Sequence, residues 1–144
     1  MRAETVTRHL EIVRRSLEAL ETADLAAFRR LAEESTHPEV EWRPLIGTGI
    51  EGTYRGRDRI VSFFADFVGS FEVRYLDPEL RAIGDDSVLL LGRMRLKGRH
   101  SGAQVERELA AVYEFEDGLL RRGRAYPTHE EALAAAEKLV DAGA

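Results

Sequence analysis

The feature that most constrains the fold is a run of alternating apolar and polar residues in the second half of the chain. Four candidate strands follow one another there: residues 71–83, 87–99, 104–115 and 119–126. Short turn sequences separate them: Asp85-Asp86, Ser101-Gly102 and Asp117-Gly118. Side chains that alternate in this way point to opposite faces of a sheet, and such turns join antiparallel neighbours. The pattern therefore predicts a curved antiparallel sheet with one apolar face.

The first half of the chain has helical periodicity instead. Apolar residues recur every three or four positions from about residue 4 to 21, and Asp24 can cap a second helix that runs to about residue 34. His37-Pro38 ends this helix, because the residue before a proline is disfavoured in the helical region. A short strand is expected over 40–45.

Glycines at 47, 49, 52 and 56 indicate a loop or a short irregular hairpin after this strand. Asp58 opens a third helix with an apolar stripe that includes Phe64. Thr128 and Glu131 form a capping box that opens a last, alanine-rich helix. Helices followed by a meander predict one α+β domain over residues 1–144.

Composition excludes several functional classes. The chain has 144 residues, a net charge of -5 and no cysteine, so disulfides and thiol chemistry are excluded and nucleic acid is a poor first partner. No segment resembles a signal peptide or a membrane span, which predicts a cytoplasmic protein without a membrane partner. The four histidines (His9, His37, His100 and His129) lack metal-ligand spacing, so no metal or other cofactor is expected.

Several motifs in this order resemble the SnoaL-like family of the nuclear-transport-factor-2-like superfamily. They are His37-Pro38-Glu39-Val40-Glu41-Trp42, then Gly52-Thr53-Tyr54-Arg55-Gly56-Arg57-Asp58, then Phe115-Glu116-Asp117-Gly118, and finally Tyr126 with Glu131-Ala132-Leu133. The resemblance implies a cone, in which a curved antiparallel sheet wraps around the long N-terminal helix and further helices close it. It also implies a pocket, in a family that includes polyketide cyclases, ketosteroid isomerases, epoxide hydrolases and non-catalytic binders. The fold alone therefore does not decide the function.

The orientation of the strand over 87–99 decides what lines this pocket. One row of that strand is cationic, with Arg93, Arg95 and Lys97, and the other is apolar. A two-residue turn at Ser101-Gly102 would place Lys97 opposite Glu106 and Arg95 opposite Glu108, and such charge pairs favour an outward cationic row. A slip of one residue would reverse the faces.

With that register the pocket is mostly apolar. The resemblance places Trp42, Ala111 and Ala125 where relatives carry catalytic groups, and none of these residues supplies a carboxylate or a histidine. Ser16, Tyr54 and Tyr113 remain as hydroxyl candidates, although Ser16 more readily bonds back within its own helix. The predicted pocket residues are Ser16, Trp42, Tyr54, Phe64, Leu90, Met94, Leu109, Ala111, Tyr113 and Arg121.

The strand over 119–126 leaves two alternatives. A three-residue bulged turn over 116–118 turns Arg121, Gly123 and Ala125 inward, whereas a turn at Asp117-Gly118 alone turns Arg122, Arg124 and Tyr126 inward. The resemblance favours the first alternative. Arg121 would then orient a ligand carboxylate at the rim, or form an ion pair with Glu114 or Glu116.

These residues predict a small-molecule binding protein that takes a hydrophobic ligand and lacks a conventional catalytic dyad. The alternative is a SnoaL-like isomerase, cyclase or hydrolase that acts on a hydrophobic cyclic or polyketide-like substrate. A homodimer is expected through the outer face of the sheet. That face carries Arg93, Arg95, Glu106 and Glu108, flanked by Ala110 and Val112.

Overall fold

A computed structural model describes residues 2–45 and 52–143 as an α+β fold. Its helices are α1 (Arg2–Glu21), α2 (Leu25–Ser35), α3 (Arg57–Ser70) and α4 (His129–Gly143). Its strands are β1 (Thr36–Arg43), β2 (Tyr54–Arg55), β3 (Phe71–Ile83), β4 (Ser87–Gly98), β5 (Gln104–Glu116) and β6 (Leu119–Ala125). Gly47 and Gly49 of the predicted loop lie outside the described residues.

The strands form one curved, open sheet in the order β2-β1-β6-β5-β4-β3. All neighbouring strands are antiparallel except β1 and β6, which run parallel. The sheet is curved as predicted, and its one parallel pair, which the sequence did not predict, is possible because most of the chain lies between the two strands. The strand β1 also begins at Thr36, earlier than expected, because the backbone becomes extended directly after α2.

The longest ribbon, β3 with β4, bends in its middle. The pairing register shifts between Leu76 and Glu79, where Asp77 has a φ of 48° and Pro78 follows. A bulge of this kind bends a strand and increases its twist. Gly92 lies opposite the bend, and a Cβ there would be 3.1 Å from both Leu76 O and Pro78 Cα. A glycine at position 92 therefore allows the two backbones to approach closely where the sheet curves.

The predicted pairing of β4 with β5 was wrong by two residues. Arg95 lies opposite Glu106 and Lys97 opposite Gln104, and the Gly98 amide donates to Ala103 O over 2.9 Å. The connection is therefore a four-residue loop, 99–102, instead of a two-residue turn. A shift of two residues keeps every side chain on its face, so the row assignment holds: Arg93 and Arg95 lie on the face opposite to the one that α1 covers.

Helices cover both faces of the sheet. On the concave face, α1 packs Ile12, Val13 and Leu17 against the inner row of β4 and β5, and α2 and α3 form a second cluster beside it. On the convex face, α4 packs Ala132 and Ala136 against the opposite rows of the same strands. The expectation that further helices close the cone is thus met by α2 and α3, whereas α4 packs its alanine face on the outer side of the sheet.

Within the described part of the chain, no helix combines the length and the apolar character needed to cross a bilayer. The location of the protein in the cell stays a prediction.

Candidate functional site

A cavity of about 410 Å³ lies between the concave face of the sheet and helices α1, α2 and α3. Apolar side chains form nearly all of its wall. Those from the sheet include Trp42, Leu90, Met94, Leu109, Ala111 and Tyr113, and those from the helices include Ile12, Leu17, Phe28, Phe63, Phe64 and Phe67. Because β4 and β5 alternate their side chains, each strand supplies every second residue to this wall.

Aromatic rings form one side of the cavity. The Trp42 indole stacks on Tyr113 with centroids 6.2 Å apart, and it lies 5.5 Å from the Phe64 ring. Gly123 lies beside Trp42 in the parallel β1–β6 pair and opposite Tyr113 in β5. A Cβ on Gly123 would come within 2.8 Å of Trp42 Cε3 and 3.2 Å of Tyr113 Cδ1. The glycine therefore makes room for the indole to lie flat against the sheet.

Two potential hydrogen-bond donors on this side lack partners. The Trp42 Nε1–H group is buried without an acceptor among the described residues. Tyr113 is 9% exposed, and none of the hydrogen bonds in the described part of the chain involves its hydroxyl. Burial raises the pKa of the Tyr113 phenol, and also that of Tyr75, which lines the same cavity. Both phenols therefore stay protonated at neutral pH, which suits them to donate to a ligand oxygen.

Ser16 lines the cavity from α1, but its hydroxyl is already engaged. The Ser16 hydroxyl donates to Val13 O over 2.7 Å within the helix. This is the back-bonded arrangement that sequence reasoning preferred for Ser16.

The cavity opens toward the loop that joins β4 and β5. Its lining residues Ser101, Ala103 and Val105 are exposed, whereas Leu109 and Ala111, further along the same strand, are buried. Val105 is a large apolar side chain that is 46% exposed. The cavity therefore leads from the end of the β4–β5 hairpin to the aromatic wall inside.

Three charged residues touch the cavity, and two of them have partners elsewhere. The Glu41 carboxylate receives a hydrogen bond from Arg55 Nε over 2.9 Å. The Glu108 carboxylate accepts from the backbone amide of His129 over 3.1 Å and lies 3.4 Å from Nδ1 of the same residue. The third residue, Arg107, takes part in no ion pair among the described residues.

The structure places two of the predicted pocket residues outside this cavity. The Tyr54 ring packs on Phe63, 4.9 Å between centroids, in a separate surface depression. The Arg121 guanidinium donates to Glu39 O over 2.6 Å and lies 3.5 Å from the Glu116 carboxylate. Because both contacts hold Arg121 at the sheet surface, the ion-pair alternative describes it better than a role in binding a ligand. The other eight predicted residues line the cavity, and their contact with a ligand stays a prediction.

The geometry of β6 combines the two alternatives for its turn. Asp117 and Gly118 have φ values of 53° and 79° and form a two-residue turn that leaves Glu116 opposite Leu119. The register then shifts after Phe115, and the extra residue brings Gly123 opposite Tyr113. Gly123 and Ala125 therefore lie on the inner row, as the bulged alternative predicted, although the turn itself has two residues.

The positions that the resemblance associates with catalysis all line the cavity. They are Trp42, Ala111 and Ala125. The arrangement can shape an apolar molecule and donate hydrogen bonds to it, but these three side chains offer no general base. Among the described residues, no cluster of three or more His, Cys, Asp or Glu side chains is placed to hold a metal ion.

Arg107 and Tyr75 also line the cavity, and neither was predicted from the sequence. Arg107 lies two positions before Leu109, so the same period of two that selected Leu109 and Ala111 also selects it. Tyr75 belongs to the edge strand β3, whose orientation depends on pairing with β4, and its position opposite Met94 was not available from local pattern.

The fold and the cavity define a SnoaL-like domain. The family model described as "SnoaL-like domain" matches residues 13–123, so the chain belongs to this family. A search of curated protein sequences finds no match.

Solved structures with the same fold are distant in sequence. One is a nuclear-transport-factor-2-like protein of unknown function from Burkholderia pseudomallei, 23% identical, with a TM-score of 0.69 over 88% of this chain and 95% of the other. Another is a candidate polyketide cyclase from Xanthomonas campestris, 17% identical, with a TM-score of 0.72 over 92% and 98%. A third is an epoxide hydrolase from M. tuberculosis, described as LEH-like, 17% identical, with a TM-score of 0.63 over 91% and 86%. At these identities the likeness establishes the fold and no activity.

Proposed function

We propose that this protein binds a small hydrophobic molecule in the cavity between the sheet and helices α1–α3. The observation that carries the proposal is the cavity itself, which is about 410 Å³ in volume and has an almost wholly apolar wall. Ligand pockets of drug-sized molecules span roughly 300–1,000 Å³ and are lined in this way. A protein of similar fold, 20% identical, was co-crystallised with polyporic acid, which supports a small organic ligand for this chain as well.

The inner wall favours binding over a conventional reaction. Trp42, Ala111 and Ala125 contribute indole and methyl groups where a carboxylate or imidazole would be needed to move a proton. Transfer of apolar ligand surface from water to a buried apolar wall is instead favourable by roughly 25 cal/mol per Å². The buried Trp42 Nε1–H group, which has no acceptor among the described residues, and the Tyr113 hydroxyl in the cavity wall would then orient a ligand that carries an oxygen acceptor.

Binding can be measured with the protein's own fluorescence, because Trp42 is the sole tryptophan and lies in the cavity wall. We expect the uncharged probe 1-aminoanthracene to quench Trp42 with saturation at a one-to-one ratio. The substitution Ala111→Phe fills the cavity from a residue that is 3% exposed, and it should abolish the quenching. Ala134→Phe, at an exposed position of α4, is the matched control and should bind normally. Equal binding by Ala111→Phe, with circular dichroism unchanged, would overturn the proposal.

A catalytic role is the second candidate, and the free Tyr113 hydroxyl favours it. A phenol that is kept protonated by burial can donate to an oxygen that gains charge during a reaction. Turnover of epoxides, ketosteroids or polyketide esters that falls at least tenfold in Tyr113→Phe would support an enzyme. No turnover above the uncatalysed rate for any of the three substrate classes would reject it.

We also infer a homodimer through the outer face of the sheet, although part of the predicted surface is already occupied by α4. Ala110 and Val112 are covered by α4 of the same chain, which removes them from the expected interface. The exposed part carries Arg93 and Arg95, 2.9 and 3.8 Å from the Glu106 carboxylate, and a row with both charges can complement a second copy across a twofold axis. Light scattering should show a dimer at low salt and more monomer in 1 M NaCl. A monomer at low salt would contradict the inference.

A further inference from the structure

Arg107 introduces a charge at the boundary between the exposed and buried parts of the cavity. It lies on the inner row of β5, between exposed Val105 and buried Leu109, and opposite Met94 of β4. Its side chain is partly buried and contributes to the cavity lining. Arg93 and Arg95 of β4 lie on the outer row, as predicted, whereas Arg107 of β5 lies on the inner row.

The Arg107 guanidinium has no counter-charge in the described part of the chain. Arg93 and Arg95, on the outer row, both reach Glu106. The two carboxylates that touch the cavity are engaged by Arg55 and by His129. Glu108 lies on the outer row with Arg93, so among the described residues of the inner row Arg107 is a positive charge without an ion-pair partner at the entrance of an apolar space. Such a charge repels a cationic ligand group and attracts an anionic one.

We propose that the ligand is an elongated hydrophobic molecule with a terminal carboxylate, and that this carboxylate pairs with Arg107. The inference rests on the proposed binding function and specifies its ligand class. The planar guanidinium can donate two parallel hydrogen bonds to a carboxylate, a geometry that a neutral head group does not match. Six residues of strand separate Arg107 from Tyr113, a span of roughly 20 Å at the usual rise. The hydrophobic body would lie along this span toward Trp42 and Tyr113.

The test compares ligands that differ only in the head group. Decanoate, 1-decanol and methyl decanoate displace 1-aminoanthracene from the wild-type protein and from Arg107→Gln. We expect the wild type to bind decanoate about tenfold more tightly than 1-decanol, the effect of one charge-assisted pair at a partly exposed site. Arg107→Gln should lose this preference and keep the wild-type affinity for 1-decanol. Arg74→Gln, at an exposed arginine of β3, should keep the preference.

Failure of the proposed ligand class can be distinguished from failure of the proposed binding function. If neither the probe nor any decyl compound binds, the proposed function itself fails. If 1-decanol binds as tightly as decanoate, or if Arg107→Gln keeps the preference, the ligand class is wrong and the binding function stands. The same follows if Arg107→Gln loses both ligands, because Arg107 is then needed for the cavity itself. If Arg107→Gln does not fold, Arg107→Met decides, since a decanoate preference that this variant keeps overturns the pairing.

Discussion

At the scale of single residues, Gly123 sets the position of the aromatic wall. Replacing it by alanine would place a Cβ 2.8 Å from Trp42 Cε3 and 3.2 Å from Tyr113 Cδ1. Neither ring belongs to a flexible chain end, so we expect Gly123→Ala to reduce the free energy of unfolding by about 1–3 kcal/mol. Urea denaturation, followed by the fluorescence of Trp42, measures both the loss of stability and the displacement of the indole.

Gly69→Ala is the control for this substitution. Gly69 lies in α3, and a Cβ there meets nothing within 4 Å. We expect a change between zero and about 1 kcal/mol in the stabilising direction, because alanine favours helix over glycine. If both variants were equally stable, contact with Trp42 would not be the reason for a glycine at position 123.

His9 gives the stability of the protein a dependence on pH. It is 1% exposed, its ring stacks on Phe115 at 4.0 Å, and its Nε2 atom has no hydrogen-bond partner among the described residues. Burial lowers the pKa of His9, although Asp86 partly opposes this shift. The folded state therefore prefers the neutral imidazole, whereas an unfolded histidine takes up a proton below a pH of about 6.5.

The protein should consequently lose stability as the pH falls from about 6.5 through the lowered pKa of His9. The measurement is the free energy of unfolding of wild type and His9→Gln between pH 7 and pH 5. The wild type should lose more than the variant, and the difference reports His9 alone because the carboxylates titrate in both proteins. His100→Gln, at an exposed position, should behave as the wild type does. Identical pH profiles of wild type and His9→Gln would contradict the assignment.

At the scale of elements, the packing of α4 depends on small residues. Ala132 is fully buried and Ala136 is 4% exposed, and both pack on the convex face of the sheet with Leu89 and Val112. We expect Ala132→Leu to push the helix outward and to reduce the free energy of unfolding by about 1–3 kcal/mol. Ala134→Leu, exposed on the same helix, should change it by less than about 0.5 kcal/mol. Hydrogen exchange in α4 would show whether the helix detaches first, and equal stabilities of the two variants would contradict this packing.

The sequence predicted the elements better than their pairing. Strong periodicity identified α1, α3 and the four long strands, because periods of 3.6 and 2 are local properties. The pairing of β1 with β6 joins residues about eighty positions apart, and no local pattern specifies it. The β4–β5 register failed because Ser101-Gly102 was taken for the whole turn, whereas Arg99 is bound to Val68 O and His100 also belongs to the loop. Both faces were still assigned correctly, since a shift of two residues preserves them.

At the scale of the whole molecule, the sequence predicted that the cavity is mostly apolar but did not predict all of the residues that line it. Residues on regular strands, such as Leu90 and Ala111, followed from alternation. Arg121 was misplaced because its orientation depends on the bulge in β6, and Tyr54 because it belongs to a strand of only two residues, which is too short for alternation to orient. Tyr75 reaches the cavity from β3, across the bend at Asp77 and Pro78. Irregular positions of this kind contribute to cavities in many proteins. Family resemblance and periodicity therefore predicted the cavity but not all of its lining residues.

We expect the bulge at Asp77 and Pro78 in β3 to limit the association of this edge strand with other chains. This strand forms one margin of the sheet and is 13 residues long, a length that would offer many free backbone groups to another chain. Pro78 has no amide hydrogen to donate to a neighbouring strand. Asp77, with its left-handed backbone conformation, interrupts the regular edge along which such a strand would pair. A second copy that aligned with this margin would lose contact at the bulge, so fibril growth from it is disfavoured even when the protein is concentrated.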